Sequence, residues 1–357
     1  RFCLLFCAGM NRIRINSPGG ESLIILGGTV DDVVTLLPQR GLFIITDRNV
    51  QKLYGKKFPP GEVIAIEPGE KSKTLRMVEE ICSKMLEAGA DRSSFILGFG
   101  GGVVCDVAGM VASVYMRGVR HAFVSTTLLS QVDASIGGKT GVNLGEYKNT
   151  IGTFRQPEFV LCDHAMLTTL PEAEVRSGMG ELFKHAVIRD RNLFFDISAS
   201  AGHIIAADTA VTGDLILRAV RVKAGVVRHD PLEKGQRRIL NFGHTFGHVI
   251  ETHSGIPHGV AVAKGMAIAA ELSVWKGEMA HSELRLLQTA LEKAGLMTCH
   301  KLPPDVVSMI SRDKKSESGR VNFVLLKSVG RTVIRKISTT ELQAFVNYYN
   351  EKESQSQ

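Results

Sequence analysis

Three short segments of this sequence carry side chains suited to holding a divalent cation. In Gly180-Glu-Leu-Phe-Lys-His185, helical spacing of i, i+3 and i+4 puts Glu181, Lys184 and His185 on one face. Asn241-Phe-Gly-His-Thr-Phe-Gly-His248 sets His244 and His248 one helical turn apart, and His258-Gly259 follows soon after. One carboxylate with two imidazoles leaves a coordination position open, which is the donor set of catalytic zinc. A single histidine is more often structural than a ligand. Two at i, i+4 between glycines, with a third nearby, shift the reading toward metal. Spacing does not choose among Glu181, His185, His244, His248, His253 and His258, and a plain reading would use both His244 and His248.

A second chemical feature is the glycine run in Phe95-Ile-Leu-Gly-Phe-Gly-Gly-Gly-Val103. An apolar strand ends in glycines and a helical pattern begins at once. Backbone N–H groups there can approach an anion, and a helix N-terminus favours phosphate. The spacing is not the standard dinucleotide fingerprint, because Val103 stands where the third glycine would fall. A tight strand-to-helix turn without a ligand is the plain alternative. Asp106 lies just inside the helix. Asp47 closes an earlier strand, where an acidic residue often meets a ribose hydroxyl and equally often makes an ordinary turn.

The segment from His121 to Thr153 is small, polar and basic. Gly137-Gly-Lys-Thr140 looks like the end of a phosphate-binding P-loop, but that pattern needs glycine at 133, which is Asp. The triphosphatase reading is therefore rejected. A flexible segment with Lys139, Lys148 and Asn149 remains, suited to carboxylate and phosphate oxygens, or simply a solvated loop.

The elements that must position these groups change character along the chain. Leu23–Leu26, Leu42–Thr46, Val63–Ile66, Phe95–Leu97, Ala122–Val124 and Phe159–Cys162 read as buried strands. Thr74–Ala88 has helical apolar spacing, with Gly89 as its stop. This alternation predicts a mostly parallel, Rossmann-like α/β domain over residues 10–170. From Pro171 the pattern is helical, over Glu172–Arg189, Thr212–Val227, Thr245–His253, Val260–Lys276 and Ser282–Ala294. An all-helical C-terminal domain over 171–357 is expected, with strand-like runs only at Val321–Leu326 and Thr332–Ile334. The polar tail Glu351–Gln357 reads as frayed.

Composition sets the outer limits. The chain is long enough for two domains, and no apolar run approaches the ~20 residues of a membrane helix. Arg1–Gly9 is apolar but short and lacks a clear cleavage pattern, so Met10 is a candidate natural start. The net charge of +7 comes from dispersed Lys and Arg without aromatic interleaving, which argues against nucleic acid and for small anions. Cys3, Cys7, Cys82, Cys105, Cys162 and Cys299 form no C-x-x-C pair. They predict reduced, mostly buried thiols and a cytoplasmic location.

Taken together, Gly98–Gly109, Tyr115–Gly118, Ser125–Val142, Lys148–Pro157, Gly178–His185, Arg237–His248 and His258–Met266 resemble the dehydroquinate synthase family. Their order and joint occurrence make the resemblance specific. It implies metal ligation by Glu181, His244 and His258, by zinc or cobalt, with His248 left as a catalytic acid/base. It implies NAD binding by Gly101, Gly102, Val103 and Asp106. Asp47, Asn49, Glu70, Lys73, Thr126, Thr127, Lys148 and Met166, Leu167, Thr168, Thr169 would help. Arg117, Asp133, Lys139, Asn149, Lys184, Lys223, Arg237, Asn241 and His248 would hold the substrate, joined by Lys314 or Lys315. Lys184, Lys139 and Asn149 are also expected to serve catalysis with His248.

The substrate implied is 3-deoxy-D-arabino-heptulosonate 7-phosphate, a small anionic sugar phosphate converted to 3-dehydroquinate and phosphate in the shikimate pathway. The implied order is oxidation by NAD, phosphate elimination, return of the hydride, and an intramolecular aldol closure. Arg117 would reach a partner subunit's site, so a homodimer is implied too. Three departures stand out: Ser177 where the family often has Asn, His258-Gly-Val260 where it often has His-Gly-Glu, and a short Ser254–Pro257 loop. The rival readings are a related cyclase acting on a substrate without a carboxylate, a polyol or glycerol-phosphate dehydrogenase, and a non-enzymatic anion binder. Lys223, Asn241 and His248 carry the dehydroquinate synthase type.

Overall fold

The computed structural model describes residues 10–145, 147–297, 301–313 and 320–355. Lys314, Lys315, Cys3, Cys7 and Cys299 lie outside the described residues. The chain divides into two compact units: one comprises residues up to Leu170 with Thr212–Leu232, the other Pro171–Val211 with Glu233 onward. The second unit is therefore not continuous in sequence, whereas sequence patterning suggests a single boundary near Asp163–Pro171.

The first unit holds β1 (Asn11–Ser17), β2 (Gly20–Leu26), β3 (Leu42–Asp47), β4 (Glu62–Ile66), β5 (Phe95–Gly100), β6 (Arg120–Ser125), β7 (Lys139–Leu144), β8 (Tyr147–Phe154) and β9 (Phe159–Cys162). Seven of these form one sheet in the order β1-β2-β9-β6-β5-β3-β4. All neighbours run parallel except β1 and β2. Strands covered on both faces should read as continuous apolar runs, and β5 and β9 are buried at every residue. Ile44, Phe95, Leu97, Phe99, Val124 and Leu161 make the centre of one core layer.

Helices α1 (Val30–Val33), α2 (Arg48–Tyr54), α3 (Leu75–Glu87) and α4 (Gly102–Val114) connect the strands. Thr74 caps α3 by accepting from Met77 N at 3.1 Å, and Gly89 at φ 80° ends it. Two elements depart from the sequence reading. β1 is alternating and half-exposed, with Ile13 and Ile15 as its buried side chains, so its signal is weak. The polar stretch after residue 137, expected to be flexible, forms the β7–β8 hairpin. Its glycines allow this: a Cβ on Gly152 would lie 2.2 Å from Thr140 O.

The second unit holds α5 (Glu172–Arg189), α6 (Arg191–Ala199) and α7 (Ala201–Ile205), after which α8 (Thr209–His229) lies mostly in the first unit. Then come α9 (His244–Ser254), α10 (His258–Trp275), α11 (His281–Lys293), α12 (Val306–Asp313), β10 (Arg320–Ser328), β11 (Arg331–Ser338) and α13 (Thr339–Gln355). The expected strand-like runs pair as the antiparallel β10–β11 hairpin. The tail is more ordered than its polarity suggests, because α13 runs to Gln355. Its Lys352 reaches the buried Glu271 at 2.6 Å.

Candidate active site

In the helical unit the ligand-type side chains converge because three helices touch backbone to backbone at glycines. A Cβ on Gly180 would lie 2.0 Å from Gly259 O, and one on Gly259 would lie 1.7 Å from Ser177 O. So α5 and α10 cross with no side chain between them, and the next residues in sequence, Glu181 and His258, are brought side by side. Gly265 does the same for α9 and α10, since its Cβ would lie 2.1 Å from Gly243 O. Gly243, at φ 81°, starts α9 in the left-handed region and His244 follows it. Ser177, one of the departures noted above, accepts from Gly259 N at 3.1 Å and ties α5 to the start of α10.

The result is a trio. His244 Nε2 lies 3.5 Å and His258 Nε2 lies 3.6 Å from Glu181 Oε1, and the donor atoms all lie within 4.8 Å of one another. Four-coordinate zinc with bonds of about 2.0–2.2 Å holds neighbouring donors about 3.3–3.6 Å apart, so the spacing suits a metal. His248 sits one turn along α9, its ring centre 5.4 Å from that of His244 and 6.1 Å from that of His258. The candidate donor set with Glu181 is thus His244 with His258, where the plain reading pairs His244 with His248. His253 is exposed, and His185 is fully buried in α5.

Burial and charge act in opposite directions within the trio. Glu181 is completely buried and forms a close ion pair with the equally buried Lys184. Burial, reinforced by Lys184, holds His244 well below its ordinary pKa, against the pull of Glu181. Burial also disfavours charge on His258, but hydrogen bonds to Glu181 and Glu251 outweigh it and raise that pKa to about 9. Glu251, 10% exposed, accepts from His258 Nδ1 at 3.0 Å, which leaves Nε2 facing Glu181. Sequence reading missed Glu251. Its one available signal was its position on α9 seven residues before His258.

The first unit gathers the other predicted groups. β5 ends at Gly100 and α4 begins at Gly102, with Gly101 as an N-cap that has no side-chain cap. Its first-turn N–H groups point out of the helix end, as an anion site requires. A Cβ on Gly101 would lie 2.9 Å from Thr127 Cγ2, and Thr126 N donates to Gly100 O at 3.0 Å. Lys73 is buried and pairs with Asp106 at 2.5 Å. Burial pushes the Asp106 carboxyl up, and Lys73 pulls it back. Asp133 pairs with Lys223 at 2.6 Å, a link across 90 residues of sequence.

Other predicted positions are more ordinary. Asp47 caps α2 by accepting from Val50 N at 3.0 Å, while Asn49 is exposed. Met166 and Leu167 are buried in the core, whereas Thr168 is exposed and Thr169 bonds Tyr54 Oη at 2.6 Å. Lys139 and Asn149 are exposed and Lys148 is half-buried on the hairpin. Arg117 is exposed at φ 69°, directly after Met116 at φ 49°. Two successive left-handed residues other than glycine are strained, by about 1–3 kcal/mol each. In the helical unit, Arg237 is buried and Asn241 Nδ2 donates to Glu233 Oε1 at 2.5 Å.

The fold is that of the sugar-phosphate cyclases. 2-Deoxy-scyllo-inosose synthase, solved with carbaglucose-6-phosphate, NAD+ and Co2+, matches with a TM-score of 0.81 and 25% identity, covering 95% of this chain and 100% of that one. 2-Epi-5-epi-valiolone synthase of Streptomyces hygroscopicus subsp. jinggangensis 5008 matches with a TM-score of 0.84 and 24% identity, covering 98% and 100%. The family models described as 3-dehydroquinate synthase N-terminal and C-terminal match residues 63–177 and 178–316. A 3-dehydroquinate synthase of Alkaliphilus metalliredigens (strain QYMF) is 39% identical over 319 residues, 86% of this chain and 90% of its own. The chain belongs to the 3-dehydroquinate synthase family. No helix among the described residues is long and apolar enough to cross a membrane.

Proposed function

We propose that this chain converts 3-deoxy-D-arabino-heptulosonate 7-phosphate to 3-dehydroquinate and phosphate, a carbon–oxygen lyase step of the shikimate pathway. The observation that carries the reading is the Glu181–His244–His258 trio with His248 beside it, in a chain of this family. Glu181, His244 and His258 would hold zinc or cobalt, and the first turn of α4 from Gly101 to Asp106 with Glu70 and Lys73 would hold NAD. When bound, the metal supplies Lewis acidity toward the hydroxyl to be oxidised, and NAD supplies a reversible hydride acceptor.

The chain's own side chains do the remainder. His248, next to the trio but outside it, takes the proton of the hydroxyl that is oxidised. Lys184, fully buried against Glu181, keeps its charge close to developing negative oxygen. Lys139, Asn149 and Lys223 in the first unit, and Arg237 and Asn241 in the second, are donors of the kind that carboxylate and phosphate need. Asp133 orients Lys223 through its 2.6 Å ion pair. Arg117, which the family resemblance assigns to a partner subunit's site in a homodimer, is exposed and so accessible to such a partner. A small anionic substrate and reduced thiols, with Cys105 and Cys162 buried, suit a cytoplasmic enzyme.

The test supplies heptulosonate phosphate, NAD and Zn2+ or Co2+ and follows phosphate release and absorbance in the NADH band together. Phosphate release without net NADH is expected. Net NADH accumulation would make the chain a dehydrogenase, and no release by metal-loaded protein would overturn the reading.

A further inference from the structure

Hairpin β7–β8 carries a defect in its register. Pairing runs from Lys139↔Phe154 to Val142↔Ile151 and resumes at Leu144↔Tyr147, so β8 carries the extra residues, and Asn143 alone stands opposite Lys148, Asn149 and Thr150. A bulge disrupts the ladder locally on both strands. Asn143, outside the regular pairing there, is engaged elsewhere through both its main chain and its side chain. Its N–H donates to Lys73 O at 2.9 Å, and a single bridge pairs it with Thr74. Its Nδ2 donates to Glu70 Oε1 at 2.8 Å, and its Oδ1 accepts from Asn149 N at 2.9 Å. Asn149 stands at φ 54°, in the left-handed region, where Asn is one of the few tolerated side chains.

We infer that Asn143 is a positioning residue that locks the Glu70–Lys73 turn to the Lys148–Asn149 end of the hairpin. The inference rests on the reading above, in which Glu70 and Lys73 serve NAD and Asn149 serves the substrate. The chemistry of the two bonds admits few residues. Glu70 as a carboxylate only accepts, and the Asn149 N–H only donates, so the residue between them must donate at one atom and accept at another. A primary amide does both at this length. Aspartate would keep the acceptor for Asn149 but place a second carboxylate against Glu70. Lys73 is itself held by Asp106 at 2.5 Å. Asn143 therefore ties the hairpin to a cluster that already spans the start of α4 and the turn before α3.

The experiment uses the full chain loaded with metal and measures KM for NAD, KM for heptulosonate phosphate and kcat separately, with thermal unfolding as a check on folding. Asn143→Ala should raise KM for NAD about tenfold and KM for the sugar phosphate by less, since one bond to a charged group and one to a neutral N–H are lost. Asn143→Asp should raise KM for NAD at least as far while returning KM for the sugar phosphate toward wild type. A merely structural role would move both constants together. Glu70→Ala combined with Asn143→Ala should raise KM for NAD no further than Glu70→Ala alone, because one residue acts through the other.

If Glu70→Ala weakens NAD binding but both Asn143 variants keep wild-type constants, the positioning role is overturned and the reading of the site stands. If the two Asn143 variants shift both constants equally, the role is overturned in favour of hairpin stability. If Glu70→Ala leaves NAD binding unchanged, the underlying assignment fails and takes the positioning role with it.

Discussion

Glu251 gives the sharpest test of how the helical unit builds its cation site. It accepts from His258 Nδ1 at 3.0 Å, is only 10% exposed, and so fixes which ring nitrogen faces Glu181. Glu251→Gln keeps the shape and an accepting oxygen but removes the charge. A neutral hydrogen bond of about 0.5–1.5 kcal/mol then replaces a charged one of about 1.5–3 kcal/mol. At about 1.4 kcal/mol per decade the difference is roughly a tenfold rise in the dissociation constant for Zn2+ or Co2+, the low end of the usual cost of changing such a partner. Competition against a chromophoric chelator at fixed neutral pH measures it, with circular dichroism confirming the fold. Glu271→Gln is the control. Glu271 is also buried, on α10, but it serves Lys352 at 2.6 Å and Tyr348 at 3.5 Å rather than a histidine. It should cost stability and leave metal affinity alone. Unchanged metal affinity in a folded Glu251→Gln protein would refute the reasoning.

Three further outcomes are expected. Metal content, read by elemental analysis, should collapse in His244→Ala and persist in His248→Ala, while both lose phosphate release; the reverse pattern would exchange their roles. Gly259→Ala must push α5 and α10 apart to relieve the 1.7 Å approach to Ser177 O, so it should cost about 1–3 kcal/mol or more in denaturant unfolding and weaken metal binding with it. Burial, reinforced by the Arg155 charge, holds His121 down to about 3 against 6.5 when exposed. The unfolded chain therefore takes up this proton first as pH falls. The stability that neutral His121 allows is present above about pH 6.5 and lost toward pH 3, at about 1.4 kcal/mol per pH unit and roughly 2 kcal/mol by pH 5. His121→Phe should flatten that acid limb in urea unfolding. An unchanged slope would show that other groups carry it.

The parallel sheet was legible in the chain because strands covered on both faces have no polar alternation to hide them. β5 and β9 show this most clearly, and the six runs read as strands all fall in the sheet. α5 matched its expected bounds at both ends because its apolar spacing stops sharply at Pro171 and Asp190. β1 and β7–β8 were not legible. One is half-exposed, and the others are a small-residue hairpin whose stability comes from close backbone contacts and packing rather than from apolar pattern.

By itself, the sequence determined which chemistry was available: a strand–glycine–helix turn, a surplus of dispersed cations, and six carboxylate or imidazole groups of ligand type in the helical half. Those depend on residue type and short-range spacing, which a linear chain displays directly. That Glu181, His244 and His258 come together was decided by the tertiary structure, because it depends on where α5, α9 and α10 cross. The crossing points are set by Gly180, Gly243, Gly259 and Gly265, where the absence of a Cβ lets backbones touch. Glu251 and Asn143 belong to the same category. Each acts through a partner in another element, and no periodicity along the chain records the direction in which a side chain is aimed once helices cross or a strand bulges.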